Sequence, residues 1–247
     1  VAWILNIRGK DSPNSPIPNS RLIISKTKKI YLVCKIQKTY NLIKKKIMKV
    51  NNIINVDDFQ NKIHKLKGNN FIIDDKTCSI YFENIIKSKF NISKREDPTY
   101  SLKAIKNKIE IKNMKNAHII DGVALTKFIY WIKNIRKKKI NEFQAQRKLE
   151  SFRKLNKNYL YPSFDTIAGA GKNGAIVHYR AKTKGSKIIN KKDIFLCDSG
   201  GQYKYGTTDV TRTICFTKPK QFIKDIFTKV LKGHIAVANT NLNKENT

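Results

Sequence analysis

Acidic side chains are scarce in this sequence of 247 residues: 18 Asp and Glu stand against 51 Lys and Arg, a net charge of +33. Clustered positive charge would serve a polyanion partner by releasing counterions from nucleic acid. Clustering is what the sequence lacks. Lys is spread along the whole chain beside abundant Ile and Asn, as an AT-rich genome produces, and only Lys44 to Lys46 and Arg136 to Lys139 form tight runs. No aromatic residues interleave with them, as single-strand binding requires. No specific nucleic-acid partner is expected.

Long apolar runs are missing too. Val1 to Ile7 is apolar but reaches Arg8 far short of the ~20 residues a membrane helix needs. No basic segment precedes it and no small-residue cleavage site follows, so neither a signal peptide nor a membrane anchor is expected. The four cysteines, Cys34, Cys78, Cys197 and Cys215, form no Cys-x-x-Cys pair, which argues against a zinc knuckle. Cys34, Cys197 and Cys215 lie in apolar runs and read as buried, reduced thiols of a cytoplasmic protein. There is no internal repeat.

What is present suffices for a core, with 40% hydrophobic residues. Ala2 to Ile7 reads as a strand stopped by Gly9, so the sequence is expected to open mid-domain. Arg21 to Ser25 and Lys29 to Cys34 read as a hairpin across Lys26 to Lys28. Asp57 precedes a helix-period pattern of Phe59, Ile63 and Leu66, and Asn70 to Asp74 forms a further strand. Glu96-Asp-Pro98 marks a boundary, giving domains of 1–97 and 98–247. A long helix is predicted over 110–135, a second over 141–153 with Asn141 as its N-cap, and a last over 220–239. Between them lie four predicted strands: Thr166 to Ala170, Ala175 to Tyr179, Asp193 to Asp198 and Asp209 to Phe216. The fold class is α/β, or α+β.

Residues two apart on a strand share a face. Ile194, Leu196 and Asp198 therefore point one way, and Phe195 and Cys197 the other. Asp209, Thr211 and Thr213 share a face of the next strand, across a turn-like Gly200 to Gly206. If the two strands pair, Asp198 and Asp209 meet on one side. Two close carboxylates repel and resist desolvation. A shared proton, a basic partner or a pair of divalent cations would each offset that cost. Alternatively both residues simply cap turns. Spacing does not choose among these.

The motif text adds what spacing cannot. Asp198-Ser-Gly-Gly-Gln-Tyr-Lys-Tyr-Gly-Thr-Thr-Asp209-Val-Thr-Arg-Thr213 resembles the signature of the long-chain Xaa-Pro aminopeptidases. These belong to the creatinase/methionine aminopeptidase superfamily, with its pita-bread fold. Ser163-Phe-Asp-Thr-Ile-Ala-Gly-Ala-Gly-Lys-Asn-Gly-Ala-Ile-Val-His-Tyr179, Met114 to Leu125 and Ala2 to Gly9 are similar to further strings of that family, in its order.

The resemblance implies hydrolysis of the bond between an N-terminal residue and a following proline. Proline-containing peptides are the implied substrates. The cofactors would be two divalent metal ions, manganese in this family, with zinc or cobalt also compatible. Of five family ligands (two Asp, one His, two Glu), Asp198 matches the first, chelating one metal. Asp209 matches the second and bridges both. His178 matches a substrate-binding histidine, and Thr211 and Thr213 are candidate partners supporting the ligands. His118 and Asp121 share a helix face but read as structural. His234 and Glu245 stand in the wrong contexts for ligands. Gly169, Gly171 and Gly174 lack the setting of a dinucleotide site and read as shaping a pocket wall.

The chain runs only to Thr247, so the resemblance implies an internal piece: a creatinase-like domain remnant and the first half of a pita-bread catalytic domain. Three of the five ligands would lie outside it, and alone it is expected to be inactive. The parent is expected to be cytoplasmic and a possible homodimer. The rival readings are a metal-free pita-bread module that binds other macromolecules, against which the Asp pair argues, and a related prolidase or creatinase.

Overall fold

The chain forms two compact units, Val1–Lys112 and Asn113–Thr247, in a computed structural model that describes residues 1–135 and 139–241. Arg136 to Lys138 of the basic run and Glu245 lie outside the described residues.

In the first unit, α1 (Ala2–Leu5) occupies the segment expected to be a strand. A short unbroken apolar run fits either state, because it has no period to distinguish them. Asn6 ends the helix in a left-handed conformation with φ 48°. The expected hairpin is present, as β1 (Arg21–Ile24) pairs antiparallel with β2 (Ile30–Cys34). After α2 (Tyr40–Lys44), β3 (Ile53–Asn55) adds to β2 in parallel. Next come α3 (Phe59–Lys65), β4 (Asn70–Ile73), α4 (Ile80–Lys87), β5 (Asn91–Lys94) and α5 (Thr99–Ala104). Strands β4 and β5 pair in parallel around α4. Phe59 and Ile63 of α3 pack with Phe82 and Ile86 of α4 against Val33 and Ile54. The Phe59 and Phe82 rings meet edge to face at 4.7 Å.

The long helix α6 (Lys108–Asn134) carries the chain into the second unit. Helix α7 (Glu142–Arg153) begins at Asn141, whose side chain accepts from the Gln144 N–H at 2.8 Å. Gln144 Oε1 accepts in return from the Asn141 N–H at 3.1 Å. This reciprocal cap satisfies two otherwise orphaned donors. Six strands follow in the order β6 (Tyr159–Pro162), β7 (Ile167–Ala170), β8 (Ile194–Ser199), β9 (Gly201–Tyr203), β10 (Gly206–Thr207) and β11 (Val210–Cys215), before the closing helix α8 (Gln221–Ala238). They form two antiparallel sheets, β11–β8–β7 and β10–β9–β6.

Strand β8 alternates as its sequence predicts. Phe195, Cys197 and Ser199 are buried, while Ile194, Leu196 and Asp198 are half-buried. Its inner face packs against Leu125, Phe128 and Ile132 of α6 and Ala145 and Leu149 of α7. The helices thus cover one face of the sheet and fix which side Asp198 takes. Cys34 and Cys197 are buried as expected, Cys215 at the end of β11 is only half-buried, and all four thiols are free.

Two expectations about the backbone of this unit fail as well. Ala175 to Tyr179 is not a strand: Gly171–Ala175 is a 3-10 turn, and Ile176 and Val177 are exposed. Gly200 to Gly206 is not simply a turn, since it supplies β9 and half of the β9–β10 hairpin. Gly200 answers to crowding. A Cβ there would overlap the Thr208 carbonyl and the Ser163 hydroxyl.

Asp121 and Arg153 join α6 to α7 inside this unit. Arg153 Nε donates to Asp121 Oδ1 at 2.6 Å and Nη2 to Oδ2 at 3.1 Å. Nη2 also donates to Ser199 Oγ of β8 at 3.0 Å, and the Tyr203 hydroxyl of β9 donates to Asp121 Oδ1 at 2.7 Å. Burial alone would lower the Arg153 pKa, but the Asp121 carboxylate more than offsets it and the guanidinium is held above its usual value. His118, on the same helix, is exposed and donates from Nδ1 to the Met114 carbonyl. Both residues therefore serve structure.

Two stability tests follow from this packing. Asp121→Ala strands a buried guanidinium and is expected to cost about 3–5 kcal/mol in urea unfolding, whereas replacing the pair together (Asp121→Leu with Arg153→Met) should cost distinctly less. Asn141→Ala removes the cap of α7 and should cost about 1 kcal/mol in the same assay.

Candidate metal centre

The two motif strands do pair, although β9 and β10 of the other sheet intervene, and their register is one that sequence alone does not supply. Strands β8 and β11 pair antiparallel, with Thr211 opposite Asp198 and Val210 opposite Ser199. On its other side Asp198 is opposite Ile167 of β7. Asp209 immediately precedes β11, two residues before Thr211, and so lies diagonal to Asp198, not directly across from it. Asp209 is exposed and Asp198 half-buried.

The Thr211 hydroxyl donates to Asp198 Oδ1 at 2.9 Å. That bond orients the carboxylate and leaves its other oxygen, with the remaining lone pair of Oδ1, able to accept or ligate. Thr213 is opposite Leu196 and exposed.

The approach to Asp209 is anchored one residue earlier. Thr208 is buried, its Oγ1 accepts from the Gly201 N–H at 2.9 Å, and its carbonyl accepts from Ser163 Oγ at 2.8 Å. The motif therefore contains its own scaffold: Gly200, Gly201 and Thr208 are held tightly, and Asp209 follows them onto the open side of the sheet.

His178 lies on the segment between β7 and β8. It is exposed and adopts a left-handed backbone conformation, φ 54°. Gly171, at the start of the same segment, has φ +58°. A Cβ at Gly169 would come within 2.8 Å of the Gly174 backbone, so these glycines permit two backbone stretches to touch.

The sequence did not single out Glu142, Asn173 or Tyr179, which build this segment. Glu142 Oε1 accepts from the Ala170 N–H at 2.8 Å and from Asn173 Nδ2 at 2.9 Å. Its Oε2 accepts from the Tyr179 hydroxyl at 2.7 Å and the Lys187 N–H at 3.1 Å. The available signal was an acidic residue directly after an N-cap, which reads as an ordinary first-turn carboxylate.

Two carboxylates and a hydroxyl give hard oxygen donors, suited to a divalent cation such as manganese or magnesium. Asp198 keeps an oxygen uncommitted to the hydrogen bond with Thr211, and Asp209 is exposed on the approach, so the pair fits such an ion. Among the described residues no group of three or more His, Cys, Asp and Glu is assembled. The donor set here is thus the Asp pair, with His178 elsewhere on the β7–β8 connection.

Known proteins resemble this chain along both of its units. Residues 1–110 match the Creatinase/Prolidase N-terminal domain, and residues 112–244 match metallopeptidase family M24. The Xaa-Pro aminopeptidase ApepP of Drosophila melanogaster is 36% identical over 249 residues, covering 97% of this chain and 40% of that protein. A probable Xaa-Pro aminopeptidase P of Laccaria bicolor is 36% identical over 244 residues, covering 96% of this chain and 38% of its own length. The crystal structure of an X-prolyl aminopeptidase from Caenorhabditis elegans, described as a cytosolic enzyme with a di-nuclear active site, superposes with a TM-score of 0.81. It is 28% identical, with 95% of this chain and 40% of that one covered. A Xaa-Pro dipeptidase from Bacillus anthracis shares the fold, with a TM-score of 0.73 over 95% of this chain and 62% of that one, at 22% identity. The chain spans about two fifths of the length of the curated relatives it matches. With a mixed α/β fold, a creatinase-type first domain and a pita-bread second, the chain belongs to metallopeptidase family M24.

Proposed function

We propose that these residues form part of a dinuclear Xaa-Pro aminopeptidase that removes the N-terminal residue from peptides with proline in second position. The observation that carries this reading is the antiparallel pairing of β8 with β11, which sets the two motif carboxylates diagonally on the sheet face away from α6 and α7. Similarity to Xaa-Pro aminopeptidases over nearly the whole chain supports it. A cytoplasmic setting is part of the same reading, in keeping with the cytosolic relative and with the free thiols. Among the described residues no helix is long and apolar enough to cross a membrane.

In this reading Asp198 and Asp209 are two of the five ligands of a pair of divalent ions, manganese first among them. When bound, such ions polarise the scissile carbonyl and make water nucleophilic near neutral pH. The chain's own residues have narrower tasks. Thr211 holds Asp198 in one rotamer through its hydroxyl, and Thr208 with Gly201 fixes the turn that delivers Asp209. Both carboxylates supply negative charge that offsets the ions. His178, exposed on the β7–β8 connection, is the candidate contact to the peptide on the leaving-group side.

The 247 residues alone are expected to bind Mn²⁺ weakly and to hydrolyse no Xaa-Pro peptide. Electron paramagnetic resonance titration should show Asp198→Asn and Asp209→Asn each weakening Mn²⁺ binding by about 10-fold or more, and Thr211→Val by a smaller factor. Activity is tested by splicing residues 1–247 into the Drosophila relative in place of its matching segment. The manganese-loaded chimera should cleave a Xaa-Pro peptide, and cleavage that survives Asp209→Asn would sink the assignment.

A further inference from the structure

A wholly buried carboxylate gathers the chain around His178. Glu142 is 0% exposed, and its hydrogen-bond donors come from four positions of a single stretch: Ala170, Asn173, Tyr179 and Lys187. Burying a carboxylate is costly unless donors replace its water. Here two backbone N–H groups, an amide and a phenol do so, and the N-terminal end of α7 adds a favourable dipole. Lys187 Nζ is engaged elsewhere, on Asp193 at 2.8 Å and the Ala170 carbonyl at 3.2 Å. The Glu142 N–H also donates to the Lys187 carbonyl at 3.0 Å, so both ends of the stretch are tied to the start of one helix.

The bonds bracket His178. Asn173 Nδ2 reaches both Glu142 and the Tyr179 hydroxyl, the latter at 3.0 Å, and the Tyr179 N–H donates to the Ile176 carbonyl at 3.2 Å. His178 sits inside this closed turn in the left-handed region. That conformation carries a modest cost for a residue with a Cβ, and here the bonds on either side of His178 offset it. Burial, and then Glu142, pushes the Tyr179 hydroxyl up to about 12, so it remains a donor throughout the neutral range. Ile176, Val177 and His178 point no apolar surface into the core; all three are exposed. Four strong bonds thus fix a turn whose tip contributes little to the core, which is the arrangement expected where the tip itself is used.

We propose that Glu142 and Tyr179 are positioning residues for His178, clamping the Gly171–Tyr179 turn so that the imidazole is offered in one orientation to a bound peptide. The peptide contact rests on the function proposed above; the clamp does not.

The test uses the 247-residue chain with its four histidines labelled at Cε1, the His178 resonance being assigned by its loss in His178→Gln. Tyr179→Phe should move and broaden the His178 signal alone, and hydrogen exchange in residues 171–180 should quicken about tenfold while β8 and β11 keep their protection. Glu142→Ala should do the same more strongly, and Glu142→Gln should restore part of the effect by keeping one acceptor oxygen. An unchanged His178 signal in both Tyr179→Phe and Glu142→Ala would overturn the proposal. So would loss of protection spread evenly over the second unit in Tyr179→Phe, which would assign the bonds to general stability. Addition of Arg-Pro-Pro separates the two claims. A clamp effect with no response of His178 to the peptide would remove the substrate contact and leave the clamp standing.

Discussion

The second unit is organised around a charge it cannot hydrate. Arg153 lies at 0% side-chain exposure, and the Asp121 carboxylate, doubly hydrogen-bonded to it, is the charge that offsets its burial. The pair fixes α7 against α6. Through Ser199 and Tyr203 it also reaches β8 and β9, so one guanidinium and one carboxylate set the register of two helices against two strands. The apolar contacts of Phe128, Leu149 and Phe195 fill the space that this polar connection defines.

Much of the fold was readable where local chemistry decides. Asn141 announces its helix because its side chain can reach Gln144 three residues on, and the alternation from Ile194 to Asp198 reports a half-buried strand with no help from elsewhere. The failures occur where a distant residue decides. The apolar text around Ile176 reads as a strand, yet the Tyr179 hydroxyl is held by Glu142, 37 positions earlier, and the backbone turns left-handed at His178 instead of extending. Gly200 and Gly201 read as turn residues, and their real constraint is the approach of Thr208, visible only once the strands are paired. Ala2 to Leu5 had no periodic signal to separate helix from strand.

The candidate site shows the same division. Motif text pointed to Asp198 and Asp209, and strand parity put Asp198 on the face opposite Phe195 and Cys197, where the structure has it. The diagonal relation and the Thr211 hydrogen bond depend on inter-strand register, which no single strand encodes. The two carboxylates also have different mechanical backgrounds. Asp198 stands within a strand paired on both sides, and Asp209 follows a buried threonine at the margin of the sheet. His178 instead depends on a single buried acid for its place.

Strand β8 belongs to the hydrophobic core on one side and to the candidate metal centre on the other, with successive residues assigned in turn. Its two faces cannot evolve independently. A volume change at Phe195 or Cys197 that rolled the strand by a few degrees would be neutral to packing only if neighbouring helices followed, yet it would still re-aim the carboxylate next along the chain. In the proposed site, tolerance for drift at those interior positions would be set by coordination geometry on the far side of the sheet, and lineages that relax the one should be found to have released the other.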